Sequence, residues 1–304
     1  MRHAFPAALA AAVVALALLA AALRPWGAAG DGERLDDEGF ERLPPPRPGE
    51  WRAVFPEEEP QSVADYERDL RNRVTPRRRT IQVQPLGDFA KKHEALLETT
   101  RAYCAAFFGC EATVLPALAL PPGAHVARRR QYDGDRLLRF LEPKVKPEAI
   151  ALAGFLEEDI FSDDLNFVFG VATLERRAGI YSIARLSARY AGMPADATLE
   201  RRTLALATHE IGHIFGIEHC LHYRCVMNGS NSLSESDSQP LHLCPVDLEK
   251  LRRNVGLDPA ARYEALERFY AGREGYAAEA AFVKARRARL GGGGGGERKP
   301  AGPF

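Results

Sequence analysis

Short apolar runs alternate with longer stretches of mixed polarity along this chain. IQVQPL, from Ile81, reads as a strand bounded by polar residues. Residues 88–108 read as a helix, with Gly109 as a natural stop. EATVLPALAL (111–120) predicts a second strand, residues 133–141 a helix, and AIALAGF (149–155) a short buried strand. NFVFGVATL (166–174) and IYSIARL (180–186) predict two more strands, joined by the turn-like ERRAG. A helix follows, with Thr198 as its expected N-cap and Glu200 in the first turn. After Pro245 the pattern is helical, broken by Gly256, and Asp258-Pro259 caps and opens the next helix. Helices and strands that alternate, with a strand pair before one helix, predict an α/β fold: a mixed sheet with packed helices and a small helical C-terminal part.

The ends differ in character. Residues 4–23 carry no charge, so residues 1–30 read as a signal peptide or an N-terminal membrane anchor. The length of the run favours an anchor, and the small residues of WGAAG favour cleavage. Either reading places the protein on the exported, periplasmic or extracellular side, with the cytoplasm as the lesser alternative. Residues 31–77 contain PPPRP, EEEP and RNRVTPRRR and read as a disordered, Pro-rich linker, with a short helix within 65–73. The main domain is then 78–272, followed by a C-terminal helix over 273–290 and a flexible Gly-rich tail over 291–304. The 304 residues carry a formal net charge of zero, so nothing draws the chain as a whole to nucleic acid. Five cysteines make an odd set and do not suggest a full disulfide framework.

The chemistry gathers in THEIGHIFGIEHC (208–220). His209 and His213 are four apart on a helix, so both imidazoles share one face and can hold one zinc ion. Gly212 and Gly216 lie beside them and leave room for metal and substrate, while Ile211 and Phe215 face a core. Glu210 lies too far round to be a ligand and suits a general base acting on zinc-bound water. Gly216 lets the chain turn, and His219 returns as a third ligand. The whole pattern, H-E-x-x-H-x-x-G-x-x-H, is the metzincin signature, and Met227 is the candidate Met-turn residue. Three histidines leave a fourth zinc position open, which is the catalytic arrangement. The expected activity is peptide-bond hydrolysis, with a peptide or protein as the partner. NFVFGVATL is either the edge strand that holds the substrate or an ordinary core strand. The alternative function is a zinc-dependent binding or scaffold module with little turnover.

The run HEIGHIFGIEHCLHYRCVM, with NGSNSLSESDSQPLHLCPVDLEKL after it and RRRTIQVQPLG, LNFVFGVATL and IYSIARL before it, resembles the archaemetzincin family, most nearly its animal-type members. The resemblance covers about residues 78–270 and implies a metzincin-like fold. It implies a catalytic zinc on His209, His213 and His219, with Glu210 as base, and an aminopeptidase-like preference for short substrates. It also implies a structural zinc on two pairs of cysteines. Cys220, Cys225 and Cys244 match three of these, and Asp247 stands where the fourth is expected. A Cys3Asp site satisfies zinc, with His222 or His242 as other nearby donors. Equally, Asp247 suits a helix start without any metal. In an oxidising compartment Cys220–Cys225 and Cys104–Cys110 pairs are further alternatives, as is a Cys104 that is simply buried.

Overall fold

The computed structural model describes residues 35–162, 165–187 and 195–292. The leader and the end of the Gly-rich tail lie outside these residues. Among the described residues no helix is long and apolar enough to cross a membrane.

Five strands form the central sheet: β1 (Thr80–Pro85), β2 (Glu111–Val114), and, numbered in chain order, β5 (Ala149–Leu156), β7 (Gly170–Thr173) and β8 (Ala178–Ser182). A small second sheet holds β3 (His125–Val126), β4 (Gln131–Asp133) and β6 (Ile160–Phe161). The main order is β2-β1-β5-β8-β7. Its first four strands run parallel, and β7 runs antiparallel to β8 at the edge. β5 is buried along its whole length, as expected of a central parallel strand covered on both faces. Successive side chains alternate between the faces. Leu152, Leu156 and Ile180 pack with Leu137 and Leu141 of α4 (Gly134–Leu141). Phe155 and Tyr181 instead meet edge to face, with ring centroids 5.2 Å apart.

The helices follow the sequence pattern closely. In chain order, α3 spans Lys91–Phe108 and stops at Gly109, whose φ of 65° gives the left-handed C-cap. The long α5 spans Ala195–Ile214. It starts before the expected cap, so Thr198 is a buried residue inside the helix. Glu200 bonds the Tyr276 hydroxyl at 2.9 Å rather than its own helix end. Phe215, just beyond α5, stacks on Phe108 of α3 at 4.9 Å, so the two helices share one core. α6 (Leu233–Asp237) is short, and α7 (Pro245–Val255), α8 (Pro259–Tyr270) and α9 (Ala277–Gly292) form the C-terminal part. Asp258 caps α8, accepting from the Ala260 N–H. The EATVLPALAL run forms a strand only to Val114, because Pro116 interrupts the ladder. All five cysteines are free thiols, so neither disulfide pairing is made. Burial pushes the Cys104 thiol, inside α3, up to about 12, as for an inert apolar side chain.

The stretch expected to be a disordered linker has structure from residue 36 onward. It contains α1 (Trp51–Val54) and α2 (Val63–Asp69), the latter opened by a capping box between Ser62 and Asp65. Its backbone joins the loop after α5, with Leu43 N–H donating to His222 O and Arg224 N–H to Glu41 O. Buried Tyr66 donates its hydroxyl to Phe215 O at 2.8 Å. Asn72 donates to Ile150 O and Ile214 O. Composition understates such a segment, because a few anchors, each satisfying a buried carbonyl, offset the ordering cost of a polar chain.

Asn254 of α7 is the knot of this packing. Its amide group donates to Tyr66 Oη and to the carbonyls of Asn72 and Phe215, and its oxygen accepts from Val74 N–H. Asn254→Ala takes the partner from Val74 N–H and the Asn72 carbonyl, while Tyr66 Oη and Phe215 O keep their bond to each other, and is expected to lower the unfolding free energy by about 3 kcal/mol. Denaturant unfolding of the variant against the parent measures this.

Candidate active site and metal centres

Helix α5 carries His209 and His213 one turn apart, and the left-handed turn at Gly216 (φ 88°) brings the chain back to present His219. Each imidazole is held by its Nδ1: His209 to Val226 O at 2.9 Å, His213 to Ile217 O at 2.8 Å, and His219 to Glu58 Oε1 at 2.6 Å. A carbonyl or carboxylate can only accept, so Nδ1 carries the proton in all three neutral rings. Every Nε2 is therefore a lone pair. The ligand atoms lie within 4.8 Å of one another, and the Nε2 atoms of His209 and His213 are 3.1 Å apart. Two lone pairs at that distance repel unless a cation lies between them. Protonation is a poor substitute, because burial lowers the affinity of His213 and His219 for a proton, reinforced by charge on the neighbouring rings. The arrangement fits a zinc ion with an open position.

Glu210 opens onto the same cleft of about 520 Å³, with the three histidines, Phe169 and Gly170. Burial raises the Glu210 carboxyl above its ordinary range, opposed by His209. It lies close against edge strand β7: a Cβ on Gly170 would come within 3.4 Å of its Cδ. The NFVFGVATL run lies at the edge of the sheet, and only Gly170–Thr173 of it is regular strand. Arg202 of α5 fixes the floor through two bonds to Asp237 and one each to the carbonyls of Leu186 and Ser187.

Gly212 has a different role from the one expected. Its missing Cβ leaves room for fully buried Met227, whose Sδ would lie 2.5 Å from that atom, rather than for metal or substrate. Gly216 likewise faces Tyr66 and Leu70. The loop carrying Met227 is stapled by Asn228, which accepts from Cys225 N–H and donates to Cys220 O and Tyr223 O. Asn228 was not singled out by the sequence, since a lone polar residue in a loop carries no pattern.

Cys220, Cys225, Cys244 and Asp247 form a second, buried cluster with their ligand atoms within 4.8 Å. The edges measured are Cys220 Sγ–Cys244 Sγ 3.6 Å, Cys225 Sγ–Asp247 Oδ2 3.3 Å and Cys244 Sγ–Asp247 Oδ2 3.3 Å. Zinc–ligand bonds of about 2.0–2.3 Å in a tetrahedron give edges of this size. Hydrogen bonds from the neighbouring thiols hold Cys220 well below the usual thiol range, while burial raises Cys225, Cys244 and Asp247. Asp247 does stand in the first turn of α7, but its second oxygen accepts from buried Lys250 Nζ at 2.8 Å. That leaves one oxygen aimed at the thiols. His222 and His242 are not in the cluster; the His242 ring stacks on Phe282 at 3.8 Å. Lys250, three residues after Asp247 on the same helix face, was legible by spacing. Glu58 and Trp51 were not, because they are 161 and 168 residues from His219 and carry no motif.

Comparison with known proteins gives one answer. Residues 129–253 match the model of Peptidase family M54. Archaemetzincin-2 of Macaca fascicularis is 31% identical over 261 residues, covering 73% of this chain and 72% of that protein. Archaemetzincin of Methanocaldococcus jannaschii is 38% identical over 174 residues, covering 57% of this chain and 92% of that protein. The crystal structure of archaemetzincin from Methanopyrus kandleri superposes with a TM-score of 0.52 at 29% identity, covering 60% of this chain and 97% of that one. Similarity that covers nearly three quarters of both chains, with three histidines that close around one point beside a glutamate, identifies a zinc metallopeptidase of the archaemetzincin family.

Proposed function

We propose that this metallopeptidase hydrolyses peptide bonds of short extended peptides, with Glu210 as the general base and His209, His213 and His219 as the catalytic zinc ligands. The observation that carries this reading is the convergence of three imidazole lone pairs beside the Glu210 carboxyl, at the β7 edge of the sheet. Zinc held there supplies a Lewis acid that polarises a carbonyl and acidifies water. Among the described residues no strand pairs with the outer side of β7, and an extended substrate would add there as a further strand. Glu210 takes the proton of the attacking water and hands it to the departing amine, so one carboxyl serves as base and then acid. Its burial suits the first step, since a carboxyl raised above its usual range is a stronger base toward the attacking water. Peptides with free and with acetylated N-termini, compared as substrates, test the aminopeptidase-like preference.

The cysteine cluster supports a second, structural zinc on Cys220, Cys225, Cys244 and Asp247. Lys250 offsets part of the charge of this ligand set and keeps Asp247 in place.

Two outcomes are expected with the full chain. Glu210→Gln keeps its zinc but loses at least about 100-fold in kcat; turnover equal to the parent's overturns the proposed chemistry. Competition with a chromophoric chelator finds two zinc ions per chain. Asp247→Ala weakens one of them by at least the roughly 10-fold that even an outer-shell change costs, and leaves the other untouched.

A further inference from the structure

The three histidines are not held alike. His209 and His213 sit on α5 and bond carbonyls of nearby chain, seventeen and four residues away respectively. His219 sits on the loop beyond the helix, and its Nδ1 bonds a carboxylate from the far N-terminal stretch. Glu58 is itself fixed, because its second oxygen accepts from the Trp51 indole N–H at 2.7 Å. Trp51 is held in turn: its backbone N–H donates to Glu235 Oε1 at 2.8 Å, and its ring meets the His219 ring edge to face at 4.8 Å. Gly229 admits that indole, since a Cβ there would lie 2.5 Å from its Cδ1. The side chains of His219 and Glu58 are 15% and 28% exposed, so water only partly competes for the bond.

We propose that Glu58 is a positioning residue for the catalytic metal, and that residues 51–58 are a working part of the metal centre rather than a leader to it. The inference rests on the reading of His209, His213 and His219 as the metal ligands. A loop histidine has two free side-chain torsions and no helix to direct it. The Glu58 carboxylate sets its tautomer and turns Nε2 inward, and an anionic partner makes that nitrogen a stronger donor than a carbonyl would. Trp51 prevents the ring from swinging out and holds the carboxylate in place. The third ligand is thus supplied jointly by two stretches of chain 161 residues apart.

The test uses the full-length chain and reads metal affinity as well as activity. The histidine-held ion is followed separately by cobalt substitution, because only thiolate ligands give near-ultraviolet charge-transfer bands. Glu58→Ala is expected to raise the dissociation constant of the histidine-held ion by about 10–100-fold. Glu58→Gln, whose amide oxygen still accepts from Nδ1–H without the charge, recovers part of that loss. Trp51→Phe, which keeps an aromatic ring but removes the N–H, weakens binding by a few-fold. The cobalt visible spectrum shifts in Glu58→Ala as the third nitrogen detaches, and the thiolate bands do not change. An unchanged dissociation constant in Glu58→Ala, with the parent binding tightly, overturns the proposal even if the metal-free melting midpoint falls. A parent that holds no ion on its histidines overturns the underlying ligand reading as well.

Discussion

Three imidazole nitrogens aimed at one another, each with its lone pair inward, are the constraint on which this structure turns. Left alone they repel, and burial makes His213 and His219 poor acceptors of the proton that would relieve the repulsion. Every Nδ1 bond therefore has to hold its ring against that repulsion: Val226 O for His209, Ile217 O for His213, Glu58 for His219. The same arrangement makes the cleft receptive to a divalent cation, since the energy released on binding includes the relief of that repulsion.

The support for these bonds extends well beyond the motif. Val226 lies in the loop that Asn228 staples, and Met227 beside it fills the space left by Gly212. Gly216 turns the chain with Tyr66 against its outer side, and Tyr66 in turn is tied to Asn254 of α7. A substitution at Asn254 or Asn228 would thus be felt at the three histidines through packing, with none of them changed. The parallel strands and α4 serve as a rigid base, and the candidate chemistry gathers on the C-terminal end of α5, the edge strand beside it and the loops beyond it.

The loop that carries His219 ends where the cysteine cluster begins, at Cys220. Both clusters solve the same electrostatic problem with different means. In the first, neutral rings face one another; in the second, potential anions do, and Lys250 contributes a fixed positive charge through Asp247. A carboxylate has two oxygens where a thiolate has one sulfur, so Asp247 can bond Lys250 and still present an oxygen to the thiols. A cysteine at this position would have to meet both with a single sulfur.

The sequence by itself determined the periodic elements and the local spacings. The i, i+4 histidines on one helix face, the turn at Gly216, the helix stops at Gly109 and Gly256, and the strands of the central sheet all follow from short-range geometry, which the backbone imposes within a turn or two. Even the asymmetry of the cysteine set, with Asp247 in place of a thiol, was legible residue by residue. The start of α5 was not: the helix begins at Ala195, before the residue with the best capping chemistry. Nor was the order in residues 36–77, whose composition resembles a linker. Only the tertiary structure decided which distant group would hold His219, what Gly212 makes room for, and how Lys250 and Asp247 are buried together. Those outcomes depend on pairs of groups brought into contact across the chain, and no local pattern encodes a partner 161 residues away.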